Sequence, residues 1–164
     1  MTTLHVDYRP EVGIRTEKRG NLADFVPETA LRVVIADDSE KNREAIREMV
    51  TKFVELDVTE AETGHQCLTL LATGEFDAVF VILTMPNSHG FTVLKAVSDG
   101  SIPRPHFVAV ISEWTDLDHR RPENESYQLD AVIEKPFTFN DVQSVLSDLV
   151  ASTLEDDLLA GLIA

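Results

Sequence analysis

One cysteine among 164 residues rules out an internal disulfide. Cys67 lies in an apolar stretch, as a buried helix residue of a protein kept in a reducing cytosol does. Basic side chains are scarce as well: 14 Lys and Arg stand against 29 Asp and Glu, for a formal net charge of −15. Nucleic-acid binding rests on cations that neutralise phosphates, so this balance argues against direct contact with DNA. The acidity reads first as a solubility device, with a basic partner surface as the functional alternative. No apolar run approaches the ~20 residues of a membrane span, and the N-terminus has no apolar signal core, which points to a cytoplasmic chain. What remains is ordinary for a globular protein: 43% apolar residues, 7% aromatic ones, and length for one domain with modest extensions.

Residues 1–30 are charged, carry Pro10 and Pro27 and show no sustained period. They read as an N-terminal arm with a candidate short strand at Leu4 to Tyr8. From Leu31 strands and helices alternate. Leu31 to Ala36, Asp57 to Ala61, Ala78 to Leu83, Phe107 to Ser112 and Ala131 to Glu134 are β-branched or apolar runs of strand length. Ser39 is a plausible N-cap for a helix with Ala45, Ile46, Met49, Val50 and Phe53 on one stripe. On that helix Arg43 and Arg47 face Glu40, Glu44 and Glu48. Helices are predicted after Gly64 (Cys67, Leu68, Leu70, Leu71) and between Gly90 and Gly100 (Val93, Leu94, Val97). Residues 114–128 contain Pro122 and much charge, and predict a short or irregular segment. Thr138-Phe139-Asn140-Asp141 matches a capping box before Val142, Val145, Leu146, Leu149 and Val150. Five such alternations imply an α/β fold, with functional groups at the carboxyl ends of the strands.

Four anchors stand at those ends: Asp37-Asp38 after the first strand, Pro86 and Gly90 after the third, Ser112 at the fourth, and Lys135-Pro136 after the fifth. In this order and spacing they resemble the response-regulator receiver domains of two-component signalling, over about Leu31 to Val150. The resemblance implies a flavodoxin-like, doubly wound five-stranded parallel sheet of (βα)5 type with strand order 2-1-3-4-5. It also implies roles: an acid pair that holds Mg²⁺ with a third carboxylate, a phosphoryl-accepting aspartate, a hydroxyl that bonds the phosphoryl group, and a lysine that pairs with it. The proline after that lysine often follows a cis bond.

Counting back four residues from Pro86 and eight from Gly90 puts the acceptor position on Ile82. A branched alkyl group has no lone pair to attack phosphorus or to hold a cation. The degenerate site is therefore Asp37, Asp38, Ile82, Ser112 and Lys135, with no catalytic residue, and with Asp37 and Asp38 as a weak metal pair at best. Lys135 has room to pair with one of the acids. Two other departures agree: large, anionic Glu113 follows Ser112, and Val132 and Ile133 stand where the family usually carries an aromatic switch residue.

These residues lead to a pseudo-receiver: a phosphorylation-independent module of a signalling pathway, regulatory through protein–protein interaction, with no enzymatic activity and no resident cofactor beyond weak or absent Mg²⁺. One alternative is a receiver still responsive through metal, another modified residue or a small ligand near Asp37, Asp38 and Ser112. Another, of a different class, is a small flavodoxin-like enzyme or cofactor carrier; Asp37-Asp38-Ser39 in place of a glycine-rich phosphate loop weighs against it. Trp114 either caps the site or anchors a partner. Residues 151–164 form a tail: Ser152-Thr153-Leu154-Glu155 matches a second capping box, and Leu154, Leu158, Leu159, Leu162 and Ile163 make an apolar stripe. The stripe packs inward or serves docking, a homodimer included. The expected interaction surface comprises Trp114, Val132, Leu154, Leu158 and Leu162, with a protein partner and neither nucleic acid nor membrane.

Overall fold

Two stretches of this chain are buried at every residue, and they form the middle of its sheet. The computed structural model describes residues 7–8, 30–52, 55–83, 85, 90–112 and 127–163, with the helix alone for 154–163. Its strands are β1 (Asp7–Tyr8), β2 (Leu31–Ala36), β3 (Leu56–Ala61), β4 (Ala78–Ile82), β5 (Phe107–Ser112), β6 (Gln128–Leu129) and β7 (Ala131–Glu134). Its helices are α1 (Glu40–Thr51), α2 (Gly64–Leu71), α3 (Gly90–Ser98) and α4 (Phe139–Ile163). Five strands run parallel in the order β3-β2-β4-β5-β7, which is 2-1-3-4-5 when those five alone are counted. The expected flavodoxin-like topology is the one observed.

Burial follows position in the sheet. Every residue of β4 and β5 is buried, because helices cover both faces. Edge strands β3 and β7 keep half-buried and exposed positions. Successive side chains of a strand point to opposite faces, so one strand feeds two cores. Val34, Val79, Val81, Val108 and Val110 pack with Cys67 and Leu71 of α2 and Val93, Leu94 and Val97 of α3. Val33, Ile35, Phe80, Ala109 and Ile111 pack with Ile46 and Val50 of α1 and Val142, Leu146 and Leu149 of α4.

Local signals account for the helix ends. Ser39 is extended, and its hydroxyl accepts the Asn42 amide (3.4 Å). Thr63 caps α2 through Gln66 N (3.1 Å), while Gln66 Oε1 reaches back to Glu62 N (2.8 Å). Asp141 accepts from the Thr138 amide (2.6 Å) and hydroxyl (2.8 Å), the expected capping box. Gly100, at φ +81°, turns the chain out of α3 through a left-handed conformation.

Two readings are corrected. Arg43 and Arg47 do not pair along α1; both reach across to β3. The second capping box does not open a helix, because α4 runs unbroken through Ser152 and Thr153. There the Thr153 hydroxyl donates to Leu149 O (3.0 Å), the bond by which a mid-helix threonine satisfies itself. The candidate strand at Leu4 to Tyr8 is found as Asp7–Tyr8, paired in parallel with β6. The irregular segment expected at 114–128 falls outside the described residues except for its last two positions. No described helix is long and apolar enough to cross a membrane.

Cys67 is fully buried, and desolvation pushes its thiol up to about 12. The native protein is expected to leave Cys67 unmodified by thiol reagents at neutral pH and to react only once unfolded, read as mass gained against denaturant. Rapid labelling in native buffer would show that α2 opens readily.

Candidate functional site

The carboxyl ends of β2, β4, β5 and β7 come together by backbone bonds that continue the ladder into the loops. Asp37 N donates to Ala61 O (3.1 Å), Leu83 N to Ile111 O (3.3 Å), and Lys135 N to Ser112 O (2.9 Å). The parallel register sets Ile82 beside Ile111, and Ser112 beside Glu134. The Lys135-Pro136 peptide is cis.

Asp37 is wholly buried, whereas Asp38 is exposed. The Asp37 carboxylate is already engaged within its own turn: Oδ1 accepts from Ser39 N (2.8 Å) and Oδ2 from Asn42 Nδ2 (3.3 Å). Burial raises its pKa above the ordinary carboxylate range; the Ser39 amide, Lys135 and Asn42 oppose the rise, and Asp38 adds to it. Lys135 is half-buried and close enough to act on Asp37 through its charge. Among the described residues it makes no ion pair with either acid, so the expected pairing is present only as a field. Ser112 is 1% exposed, and among the described residues its hydroxyl has no hydrogen-bond partner. Ile82 is 5% exposed and packs in the core cluster that holds Leu83, Met85 and Val93.

This donor set does not fit a divalent cation. Hard cations seek several oxygen ligands. Here one carboxylate is spent on local bonds, the other faces solvent, and alkyl Ile82 stands at the end of the central strand. Among the described residues no three His, Cys, Asp or Glu side chains converge.

The raised pKa of Asp37 has a sign. The folded chain holds this proton more tightly than the unfolded chain, so stability falls as pH climbs through the ordinary aspartate value and stops falling above the folded one. Asp37→Asn is therefore expected to leave the urea midpoint nearly unchanged in acid and to raise it at pH 7. A lower midpoint at pH 7 would mean that the attraction to Lys135 outweighs desolvation.

A side chain that the sequence reading placed elsewhere borders the site. Arg43 is buried; its Nη1 donates to Asp37 O (2.8 Å), Nε to Glu60 Oε2 (3.2 Å), and Nη2 lies 3.5 Å from Glu62 Oε1. It holds the ends of β2 and β3 together. The local cue was weak, because Glu60 and Glu62 become its neighbours only through the parallel register of those strands. Of the expected interaction residues, Val132 is half-buried opposite Val110. The Leu154, Leu158 and Leu162 positions lie on α4, with side chains outside the described set, and Glu113 and Trp114 are outside it altogether.

Comparison with known proteins agrees with this geometry. Residues 33–147 match the family model described as "Response regulator receiver domain". The REC domain of AraT, a response regulator from Geobacillus stearothermophilus, is similar at 26% identity and a TM-score of 0.66, with 79% of this chain and 99% of that one covered. The chemotaxis response regulator CheY4 of Vibrio cholerae shares the fold at 21% identity and a TM-score of 0.62, over 74% and 99% of the two chains. So does the signal receiver domain of a putative Luxo repressor protein from Vibrio parahaemolyticus, at 20% identity and a TM-score of 0.61, over 79% and 98%. The family match spans well over half of the sequence, so the chain belongs to the response regulator receiver domain family.

Proposed function

We propose that this receiver works without phosphorylation, as an interaction module in a signalling pathway. The observation that carries the reading is Ile82: a buried alkyl group at the carboxyl end of β4, the position that the family resemblance gives to the phosphoryl acceptor. Receivers switch between two states biased by a local charge event. With no acceptor, the domain stays in one state or is biased by whatever binds it. Support comes from Asp37, whose oxygens are taken up locally, and from Lys135, which faces that acid without a direct bond. The reading has an arm at 1–30, a receiver at 31–150 and a tail at 151–164, whose residues up to Ile163 continue α4. Its partner is a protein in the cytoplasm, met through Trp114, Val132 and the leucines 154, 158 and 162, with a homodimer left open. The net charge of −15 weighs against nucleic acid.

A second reading has one observation in its favour. The buried Ser112 hydroxyl, unpartnered among the described residues, lies beside the loop of half-buried Lys135, so a small anionic ligand would find a donor and a cation there.

An amide NMR titration with Mg²⁺, then with Mg²⁺ and beryllofluoride, separates the two. No shifts at Asp37, Asp38, Ser112 and Lys135 are expected in the wild-type chain; saturable ones there overturn the first reading. Ile82→Asp supplies the third carboxylate and is expected to bring in Mg²⁺-dependent shifts at Asp37 and Asp38. Their absence would locate the block elsewhere in the loops.

A further inference from the structure

β6 and β7 are nearly one strand, interrupted at a single residue. Asp130 stands between them, and its backbone N–H donates to Val108 O (2.8 Å). Its side chain then takes the place of the next ladder carbonyl: Oδ2 accepts from Val108 N (2.8 Å) and from Arg104 Nη2 (2.9 Å). Gln128 and Leu129 are thereby released from the β5 ladder, while the side chains of Tyr127 and Leu129 stay buried, at 6% and 5% exposure. Tyr127 rests against Phe91 with ring centroids 5.8 Å apart. The backbone of so deeply packed a segment needs partners, and β1 supplies them: Asp7 pairs with Gln128 and Tyr8 with Leu129, in parallel.

The place is one where an open strand is a liability. β7 is the outermost strand of the sheet, and β6 leads directly into it. From Tyr127 to Ile133 the sequence is Tyr-Gln-Leu-Asp-Ala-Val-Ile, with one charge in seven residues of a chain otherwise dense in acid. Low charge, high β-propensity and an exposed edge are what allow one chain to pair with another. The arm lies outside the family match, which begins at residue 33, so it is an addition to the receiver rather than part of it.

We propose that Asp7–Tyr8 is a displaceable edge guard: a strand of the N-terminal arm that occupies β6 within its own chain and so keeps a second copy from pairing there. Two paired residues make a weak contact, since a hydrogen bond is worth about 1 kcal/mol net. The tether compensates. With 22 residues between Tyr8 and Leu31, pairing is intramolecular, and effective concentrations of such tethered segments are on the order of mM. The guard therefore prevails over a second copy at micromolar protein and yields to whatever draws the arm away. This inference does not depend on the state of the phosphoryl site.

The test uses the full chain with two variants. Asp7→Pro/Tyr8→Pro removes both amide donors of β1, whichever of them faces β6. Amide exchange at Gln128 and Leu129 is expected to speed up roughly tenfold, and sedimentation velocity is expected to show association that the wild-type chain lacks at the same concentration. Protection of Cys67 from thiol reagents reports that the core of each variant is intact. Asp7→Cys/Gln128→Cys is expected to oxidise within one chain and to stay monomeric, with Cys67 inert. Unchanged exchange in the proline variant overturns the contact, and faster exchange without association overturns the guarding role. A disulfide that forms between chains overturns the intramolecular assignment.

Discussion

Gly90→Ala is expected to lower the unfolding free energy by about 3 kcal/mol or more, although alanine ordinarily favours a helix by about 1 kcal/mol over glycine. The first residue of α3 crosses the end of β4 so closely that a Cβ on Gly90 would stand 2.2 Å from Ile82 O and 2.6 Å from Leu83 Cα. Both neighbours are backbone and cannot turn aside. The crossing is further held by Gly90 N donating to Leu83 O (2.8 Å). Relief would have to come from moving the end of β4 or the start of α3, and both are packed into the same cluster as Val93 and Leu94. Domains of this size are stable by roughly 5–15 kcal/mol, so one methyl group would remove a large share. Urea unfolding checks it. A loss below about 1 kcal/mol would mean that this crossing slides apart easily.

Arg43→Met is expected to cost about 2–3 kcal/mol, even though methionine keeps most of the apolar stem. The loss has two unequal sources. Asp37 O, a buried carbonyl, would lose the Nη1 donor at 2.8 Å, and Glu60, 26% exposed, would lose its closest cation at 3.2 Å. Glu62 is 67% exposed and contributes little, because water and salt screen a pair of that kind. Arg43→Lys is expected to recover less than half, since a single ammonium cannot span a carbonyl and two carboxylates. A double-mutant cycle with Glu60→Gln isolates the ion pair from the carbonyl bond. If Arg43→Met costs the same with and without Glu60, the carbonyl bond carries the whole effect.

The sheet was legible because its inner strands are continuous apolar runs and its helices begin at Ser39 and Thr138 with hydroxyl caps. Leu31–Ala36, Phe107–Ser112 and Ala131–Glu134 fall at the expected residues, while β3 begins one residue early and β4 ends one residue early. The family anchors carried the order of the strands, which periodicity by itself does not contain. Local pattern failed where the partner is distant. Arg43 looked like one rung of a charged helix face, yet the register that puts Ala36 beside Ala61 also brings Glu60 and Glu62 to it. Ser152 and Thr153 looked like a helix start because hydroxyls compete for backbone bonds; within α4 the threonine satisfies that tendency by bonding backwards, without breaking the helix. The arm's strand could be marked, but its partner at Gln128–Leu129 could not, since nothing near Asp7 specifies a pairing 121 residues away.

The length of α4 has a mechanical meaning. A helix of 25 residues is about 37 Å long at 1.5 Å per residue. Ser152 Oγ, 2.7 Å from His106 Nε2, ties it to the loop ahead of β5, and 11 further residues extend about 16 Å beyond that tie. The rod is thus a lever with its fulcrum at Ser152. A tilt of about 10° on the sheet, within reach of ordinary helix shear, would carry the far end about 3 Å. The arm on the sheet side, 13 residues from Phe139 to Ser152, is about 20 Å long, so the distal turns swing about as far as the start of the helix and in the opposite direction.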